Sequence, residues 1–190
     1  MIVVLSTLAL ALPAPTSTWE PLAKSPVAIE CTDTPAGPYC RSTGVVSVPV
    51  DTAVQTFRAL DAHVAKMASI TKIARLEPDV LHVVMDYPFP TTDRDYVARF
   101  TETTEADGTV AFTWTPTTHP KAPDNGQTIR LGRLDGQWRF AADGSNTRVT
   151  YVWHADPGGS LPDVGVVRKK AGLFAITDIA SATGGRIVSP

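Results

Sequence analysis

The sequence lacks an excess of charge of either sign. Its 190 residues include 17 lysines and arginines against 19 aspartates and glutamates, so the formal net charge is −2. Binding to the phosphates of nucleic acids depends on clustered lysine and arginine, and the longest basic run here is Arg-Lys-Lys at 168–170. We therefore expect no nucleic-acid partner, and we interpret that run as the solvated face of a helix.

Motifs of the common catalytic and metal sites are also absent. The histidines His63, His82, His119 and His154 show neither an HExxH motif nor a spacing to cysteine that suits a metal. There is no GxSxG elbow, phosphate-binding loop or dinucleotide fingerprint. His154 and Asp156 would share a strand face as an acid–base pair, but we favour an exposed pair at a strand end. We expect no metal, no cofactor and no catalysis.

No apolar stretch at the N-terminus is long enough to span a membrane. Residues 2–12, IVVLSTLALAL, number eleven, whereas a membrane-spanning helix needs about 20. With Ala9-Leu10-Ala11 as a small-x-small cleavage site they match a secretory signal, although a basic n-region is missing. We expect a signal peptide over residues 1–14 and a periplasmic or secreted protein rather than a cytoplasmic one, with a buried N-terminal element as the alternative.

The sequence has only two cysteines, Cys31 and Cys40. Pro35, Gly37 and Pro38 lie between them and predict a turn, so the two thiols can face each other across a hairpin. Closing this loop in an oxidising compartment would stabilise the fold by about 2–3 kcal/mol. The spacing does not suit a metal site, and we expect a disulfide that accompanies export.

Hydrophobic residues make up 43% of the chain, which excludes a disordered protein, and the length suits one domain. Alternating polarity predicts strands, several of them joined by Asp-Gly turns at 107, 135 and 143. The predicted strands are 27–31, 45–50, 81–87, 94–103, 109–117, 127–134, 137–142 and 146–155. A helix is predicted after Asp51, and a longer one from Pro162 to about Ala182. Strands followed by a helix indicate an α+β fold.

An apolar face recurs on the predicted strands and on one side of the last helix. Between sheet and helix we expect a cavity, since such interiors are common sites for small molecules. The candidate lining residues are Tyr96, Ala98, Phe100, Phe112, Trp114, Tyr151, Trp153, Val164, Val167, Ala171 and Phe174. The basic run Arg168, Lys169 and Lys170 is expected to face away from this cavity.

Two segments resemble START domains, the lipid-transfer domains related to the steroidogenic acute regulatory protein. Residues 87–97, YPFPTTDRDYV, resemble the family's P-x-P-x-x-x-R-D-[FY]-V stretch. Residues 156–162, DPGGSLP, resemble its D-P-G-G-x-[IL]-P segment before the closing helix. Together with Trp19-Glu20 they fall in the family's order, so residues 19–182 are identified as a START-like lipid-binding domain of bacterial type.

The resemblance implies a helix-grip fold, in which a curved antiparallel sheet wraps around a long C-terminal helix. It implies binding of a lipid or other small apolar molecule in the cavity, with transfer between membranes as a further expectation. A helix-grip enzyme acting on an aromatic or polyketide-like ligand is the alternative. We expect a monomer with transient membrane contact. The residues expected to brace loops are Pro88, Pro90, Arg94, Asp95, Pro157, Gly158, Gly159 and Pro162.

Overall fold

The computed structural model describes residues 12–14, 17–87, 90–159 and 164–188. The predicted signal segment thus lies outside the described residues except for 12–14. The elements of the described part are β1 (Glu20–Ala23), β2 (Ala28–Thr32), β3 (Tyr39–Val46), α1 (Val50–Arg58), β4 (Ile70–Glu77), β5 (Val80–Met85), β6 (Arg94–Thr104), β7 (Val110–Pro116), β8 (Ile129–Arg130), β9 (Leu134–Asp143), β10 (Asn146–Ala155), α2 (Gly165–Thr183) and β11 (Ile187–Val188). Within these ranges no helix is long and apolar enough to cross a bilayer.

The strands form one sheet in the order β1-β2-β3-β10-β9-β7-β6-β5-β4. Every neighbouring pair in this order is antiparallel, β11 adds to β3, and β8 runs parallel to β6. The helix α2 packs on one face of the sheet, chiefly against β3 and β10, with α1 beside it. The curved sheet therefore grips its C-terminal helix, which confirms the predicted α+β helix-grip fold.

The hairpin turns are only partly as predicted. Gly108 and Gly144 have φ of +84° and +62°, a region that favours glycine, so the Asp-Gly turns at 107 and 143 are confirmed. The prediction of a turn at Asp135-Gly136 is wrong, because β9 continues through both residues. A Cβ on this glycine would lie 2.7 Å from the Trp114 ring, so Gly136 is needed here for close approach rather than for turning.

Other strands also differ from the prediction. The predicted strand 127–134 is reduced to the two residues of β8, which lie beside β6. The edge strand β4 was not predicted, because its sequence ITKIARLE interrupts the apolar alternation with charged residues. Such residues are typical of an exposed sheet edge, where they discourage pairing with another chain.

Two glycines allow α2 to lie directly on the sheet. A Cβ on Gly172 of α2 would lie 2.2 Å from Ser42 Oγ and 2.8 Å from the Trp153 ring. On the strand side, a Cβ on Gly44 would lie 2.8 Å from Ile176 Cγ2. Because neither position has a side chain, the helix approaches β3 closely and its buried side is fixed at Gly172 and Ile176.

A polar network on the outer face joins β6 to its neighbours. The buried Asp95 carboxylate accepts hydrogen bonds from Arg130 Nη2 at 2.7 Å and Thr128 Oγ1 at 2.8 Å, and it lies 2.7 Å from His82 Nε2. Burial alone would raise the pKa of Asp95, but the hydrogen bonds from Arg130, Thr128 and His82 outweigh it and hold the pKa below its usual value. Asp95 therefore ties β6 to β5 and β8, whereas it was expected to brace the neighbouring loop.

We expect Gly172→Ala to destabilise the protein. Alanine favours a helix over glycine by about 1 kcal/mol, but overpacking against Ser42 and Trp153 costs about 1–3 kcal/mol. Urea unfolding measures the balance. Gly165→Ala is the matched control, because the nearest atom to a Cβ there is Leu22 Cδ2 at 3.8 Å. Equal stability of the two variants would contradict the close packing of α2 on β3.

We expect Asp95→Asn to lower the free energy of unfolding at pH 7 by about 3 kcal/mol, because it leaves Arg130 without its buried partner. The folded-state pKa is depressed, so the stabilisation is present above the unfolded pKa of about 3.9 and is lost as the pH falls through the folded value. The difference between the two proteins should therefore shrink below about pH 4. Asp143→Asn, which breaks an exposed pair, is the control. A pH-independent difference would contradict this account.

Candidate functional site

Aromatic side chains form rows across the inner face of the sheet. Strand register places side chains of neighbouring strands directly opposite one another, and alternate residues point to the same side. Two adjacent rows of cross-strand neighbours are Phe100–Trp114–Gly136–Trp153 and Phe112–Trp138–Tyr151. The predicted sheet residues do share this face, because all seven belong to one core cluster.

A cavity of about 70 Å³ lies between this face and the N-terminal half of α2, and we call it the helix cavity. Of the predicted residues, Tyr151, Trp153, Val167 and Ala171 line it. The remaining lining residues were not predicted as such and come from loops, strand ends and the helix: Pro38, Cys40, Met85, Tyr87, Leu131, Leu134, Pro157 and Arg168. Period-two alternation identifies strand faces but not which loop folds over them, so sequence reasoning missed most of this set.

The other predicted lining residues lie outside the helix cavity. Phe57 of α1 packs on one row, with ring centroids 4.6 Å from Phe112 and 5.6 Å from Trp138. Tyr96, Ala98 and Trp114 belong to the core cluster and line neither the helix cavity nor the opening on the α1 side.

A second opening, which we call the side pocket, reaches the aromatic rows from the α1 side. It measures about 280 Å³, and its floor is Phe57, Leu81, Phe100 and Phe112. Its rim is charged but paired: Arg58 Nη2 lies 2.5 Å from Glu102 Oε1. Within the two rows, Trp114 with Gly136 and Trp138 stand between the residues of the side pocket and those of the helix cavity.

In the structure, α2 is turned about its own axis relative to the prediction, so that a different side of the helix faces the sheet. Phe174 is 43% exposed and Val164 is 42% exposed, so neither covers the sheet as predicted. The seat at Gly172 is the cause, since Phe174 lies two residues further on, about 200° around the helix. The same rotation turns Arg168 toward the helix cavity, whereas it was predicted to face away.

Arg94 holds the loop that leads into α2. Its side chain is 1% exposed, and Nε donates to the Pro157 carbonyl at 3.0 Å while Nη2 donates to the Gly158 carbonyl at 3.2 Å. Nη1 donates to the Thr92 carbonyl, and the guanidinium lies 4.5 Å from the centre of the Tyr87 ring. Charge-assisted hydrogen bonds of this kind are strong, so Arg94 fixes two loops at the helix cavity.

The glycines of this loop adopt the conformation that only glycine favours, with φ of +65° at Gly158 and +62° at Gly159. They allow the chain to leave β10 and turn beneath Arg94. Pro90 lies exposed in the neighbouring turn. Pro88 and Pro162, the other predicted loop residues, lie outside the described residues.

The C-terminal half of α2 is anchored separately. The buried Asp178 carboxylate accepts hydrogen bonds from the backbone N–H of Ala68 at 2.7 Å and of Ser69 at 3.1 Å, and from the Ser69 hydroxyl. Ile176 and Ile179 on this half are buried in the core. The residues of α2 that line the helix cavity, Val167, Arg168 and Ala171, lie by contrast in its N-terminal half.

His154 is buried rather than exposed as predicted. Its ring packs 5.1 Å from Tyr39, and Nδ1 lies 2.6 Å from the Pro38 carbonyl oxygen, because the turn at Gly37 folds over it. The Tyr39 hydroxyl donates to Asp135 at 2.6 Å, and burial together with this carboxylate raises the tyrosine pKa. Alternation puts this group on the outer face, away from the helix cavity.

The described residues contain no cluster of three or more histidine, cysteine or acidic side chains that would hold a metal ion. Cys31 and Cys40 pair directly across β2 and β3 and form the predicted disulfide, with their Cα atoms 4.0 Å apart. A disulfide is compatible with a location outside the cytoplasm.

Known proteins share this arrangement. The STAR-related lipid transfer protein of Xanthomonas axonopodis is 19% identical, with a TM-score of 0.71 over 87% of this chain and 97% of that one. Human StAR-related lipid transfer protein 5 is 16% identical, with a TM-score of 0.73 over 89% and 88%. At these identities the likeness concerns the fold.

Sequence comparison adds a relative and a family. An uncharacterized protein of Pseudomonas aeruginosa is 41% identical over 84 residues, a stretch that spans 41% of this chain but only 39% of that protein. The family model of the START domain matches residues 18–177. The match covers most of the chain, including both motif segments, and the chain therefore belongs to the START domain family.

Proposed function

We propose that this protein binds a lipid or another small apolar molecule between the inner face of the sheet and α2, without catalysing its conversion. The observation that carries this proposal is the helix cavity, whose lining is mostly apolar and which joins the aromatic rows through Tyr151 and Trp153. Membership of the START family supports it.

The size of the helix cavity requires an opening step. About 70 Å³ holds roughly two water molecules, whereas ligand pockets usually measure about 300–1,000 Å³. Asp178 anchors the C-terminal half of α2 and Gly172 packs on the sheet, so we propose that the part of the helix before Gly172 lifts about the loop at Gly158 and Gly159. Lifting it widens the cavity toward the aromatic rows.

The proposal extends to transfer between membranes, which the apolar lining of the same cavity supports. Exposing a methylene group to water costs about 0.8 kcal/mol, so ten such groups hinder free movement of a lipid by roughly 8 kcal/mol. An apolar cavity removes that cost during transit. Only the step at the membrane surface then limits the rate, and α2 has to move there.

The exposed side of α2 fits an anionic membrane. Val166, Lys169, Lys170 and Phe174, which we call the docking face, point outward, with Val166 62% exposed. Apolar side chains beside lysines are typical of helices that lie in the lipid interface. The docking face adjoins the helix cavity, so contact with the membrane and opening would occur at one place.

The proposal includes a location outside the cytoplasm, in the periplasm or secreted, and a monomeric protein. The disulfide between Cys31 and Cys40 supports the location. The N-terminal apolar stretch supports it in the sequence, because it matches the core of a secretory signal.

The binding function is tested by filling the helix cavity. Ala171→Phe should abolish retention of an apolar molecule, because the new ring occupies the space beside Tyr151 and Trp153. Protein incubated with vesicles of a bacterial total lipid extract is separated from them and analysed by native mass spectrometry. Ala106→Phe is the matched control, since it makes the same substitution at an exposed turn outside α2 and the docking face.

The wild type and the control should carry a lipid that Ala171→Phe lacks, with all three proteins folded by circular dichroism. Wild-type protein that carries no apolar molecule, either as purified without detergent or after incubation, would overturn the proposed function. Equal loading of all three proteins would place the ligand elsewhere.

The docking face is tested with Lys169→Gln/Lys170→Gln. Each lysine near an anionic surface contributes about 1 kcal/mol, so membrane binding should weaken by roughly thirtyfold. Lipid uptake from vesicles containing phosphatidylglycerol should slow at low salt, while the amount bound at equilibrium stays the same. Lys72→Gln/Lys121→Gln changes the net charge equally at exposed sites elsewhere. Unchanged uptake in the first pair would exclude the docking face.

A further inference from the structure

The indole N–H of Trp114 is buried without a hydrogen-bond acceptor among the described residues. The side chain is 3% exposed and belongs to the core cluster. A buried donor without a partner is costly, and folded proteins retain few of them. Since indole nitrogen only donates, the missing partner must be an acceptor.

Trp114 lies where the two openings approach each other. Its ring packs 6.1 Å from Phe100, which lines the side pocket, and 5.5 Å from Tyr151, which lines the helix cavity. Gly136 leaves room for the ring over the neighbouring strand. A molecule entering the helix cavity and extending along the rows beyond Tyr151 would therefore come to Trp138 and Trp114, whose rings lie 4.2 Å and 5.5 Å from the Tyr151 ring.

The hydroxyl of Ser42 is a second polar group without a partner on the same face of the sheet, but it lies in a different place from the indole of Trp114. The Ser42 hydroxyl is covered by α2 at Gly172, so closely that a Cβ there would lie 2.2 Å from its oxygen. Like Trp114 it lines neither opening, and it differs in lying directly beneath the backbone of α2. Ser42 lies under the anchored part of the helix and provides a control for Trp114.

We propose that Trp114 selects the ligand by donating its indole N–H to an acceptor oxygen of an otherwise apolar molecule. The proposal rests on the proposed function and narrows its ligand class. A carbonyl, ester, ether or hydroxyl oxygen within the apolar body accepts this hydrogen bond, whereas a pure hydrocarbon of the same shape leaves the donor unpaired. In this role Trp114 determines which ligands bind and takes no part in a reaction.

Fluorene and 9-fluorenone test the selection, because these rigid molecules differ by one carbonyl group. Equilibrium dialysis with absorbance detection gives both dissociation constants for the wild type and for Trp114→Phe. The variant should lower the preference for the ketone by about three- to tenfold, as expected for one hydrogen bond. The quantity compared is the ratio of the two dissociation constants. A change in pocket shape affects both constants alike and therefore cancels in this ratio.

Two control variants accompany this experiment. Ser42→Ala removes an unpartnered polar group that lies beneath α2 at Gly172, and Trp138→Phe removes another indole from the same face while Trp114 is kept. Both should keep the wild-type preference for the ketone. A loss of preference in Ser42→Ala as large as in Trp114→Phe would overturn the assignment to Trp114.

The carbonyl stretching band of bound 9-fluorenone gives a second readout that needs only the wild type. A hydrogen bond from Trp114 should shift this band below its position in an alkane solvent, and Trp114→Phe should remove the shift. An unshifted band in the wild type, or an unchanged preference in a folded Trp114→Phe, would overturn the inference while leaving the proposed function intact. Failure of both molecules to bind the wild type would instead count against the proposed function.

Discussion

The close seat of α2 on β3 determines how the rest of the molecule is arranged. Because Gly172 and Gly44 have no side chains, the helix rests on the strand backbone and its rotation is fixed. Val167 and Ala171 consequently lie over the helix cavity, while Phe174 points to solvent. One steric constraint thus decides both the lining of the candidate site and the composition of the surface beside it.

The two ends of α2 are held by interactions of different kinds. Asp178 binds the backbone before β4 through its buried carboxylate, and this contact lies within the core. Arg94 instead binds the carbonyls of Pro157 and Gly158, which belong to the loop rather than to the helix. The loop before α2 is thus held through its backbone carbonyls, whereas the C-terminal half is held by a side chain of the helix itself.

Much of the fold follows from the sequence because it depends on local periodicity. Alternation assigned Phe112 and Tyr151 to one face, and these side chains do share it. The rotation of α2 could not be predicted in this way, since a hydrophobicity pattern ranks Phe174 above Gly172. The decisive property of Gly172 is the space it leaves, which has meaning only against residues distant in sequence. Gly136 was misassigned for the same reason, because its local preference for a turn yields to the approach of Trp114.

The aromatic character of the interior bears directly on how a small cavity can admit a ligand. Tyr151 stacks on Trp138 at 4.2 Å and on Trp153 at 4.8 Å, so the interior is held by contacts between flat faces. A ligand that slides between such faces replaces one dispersion contact by another of similar strength. In the proposed opening, the main cost in free energy is the loss of contacts between the lifted part of α2 and the sheet. A bound ligand replaces these contacts, because one side of it packs on the sheet and the other side packs on the helix. Under the proposed selection, the unpaired donor of Trp114 adds a contact that packing alone does not supply, and it favours an occupant that brings an acceptor.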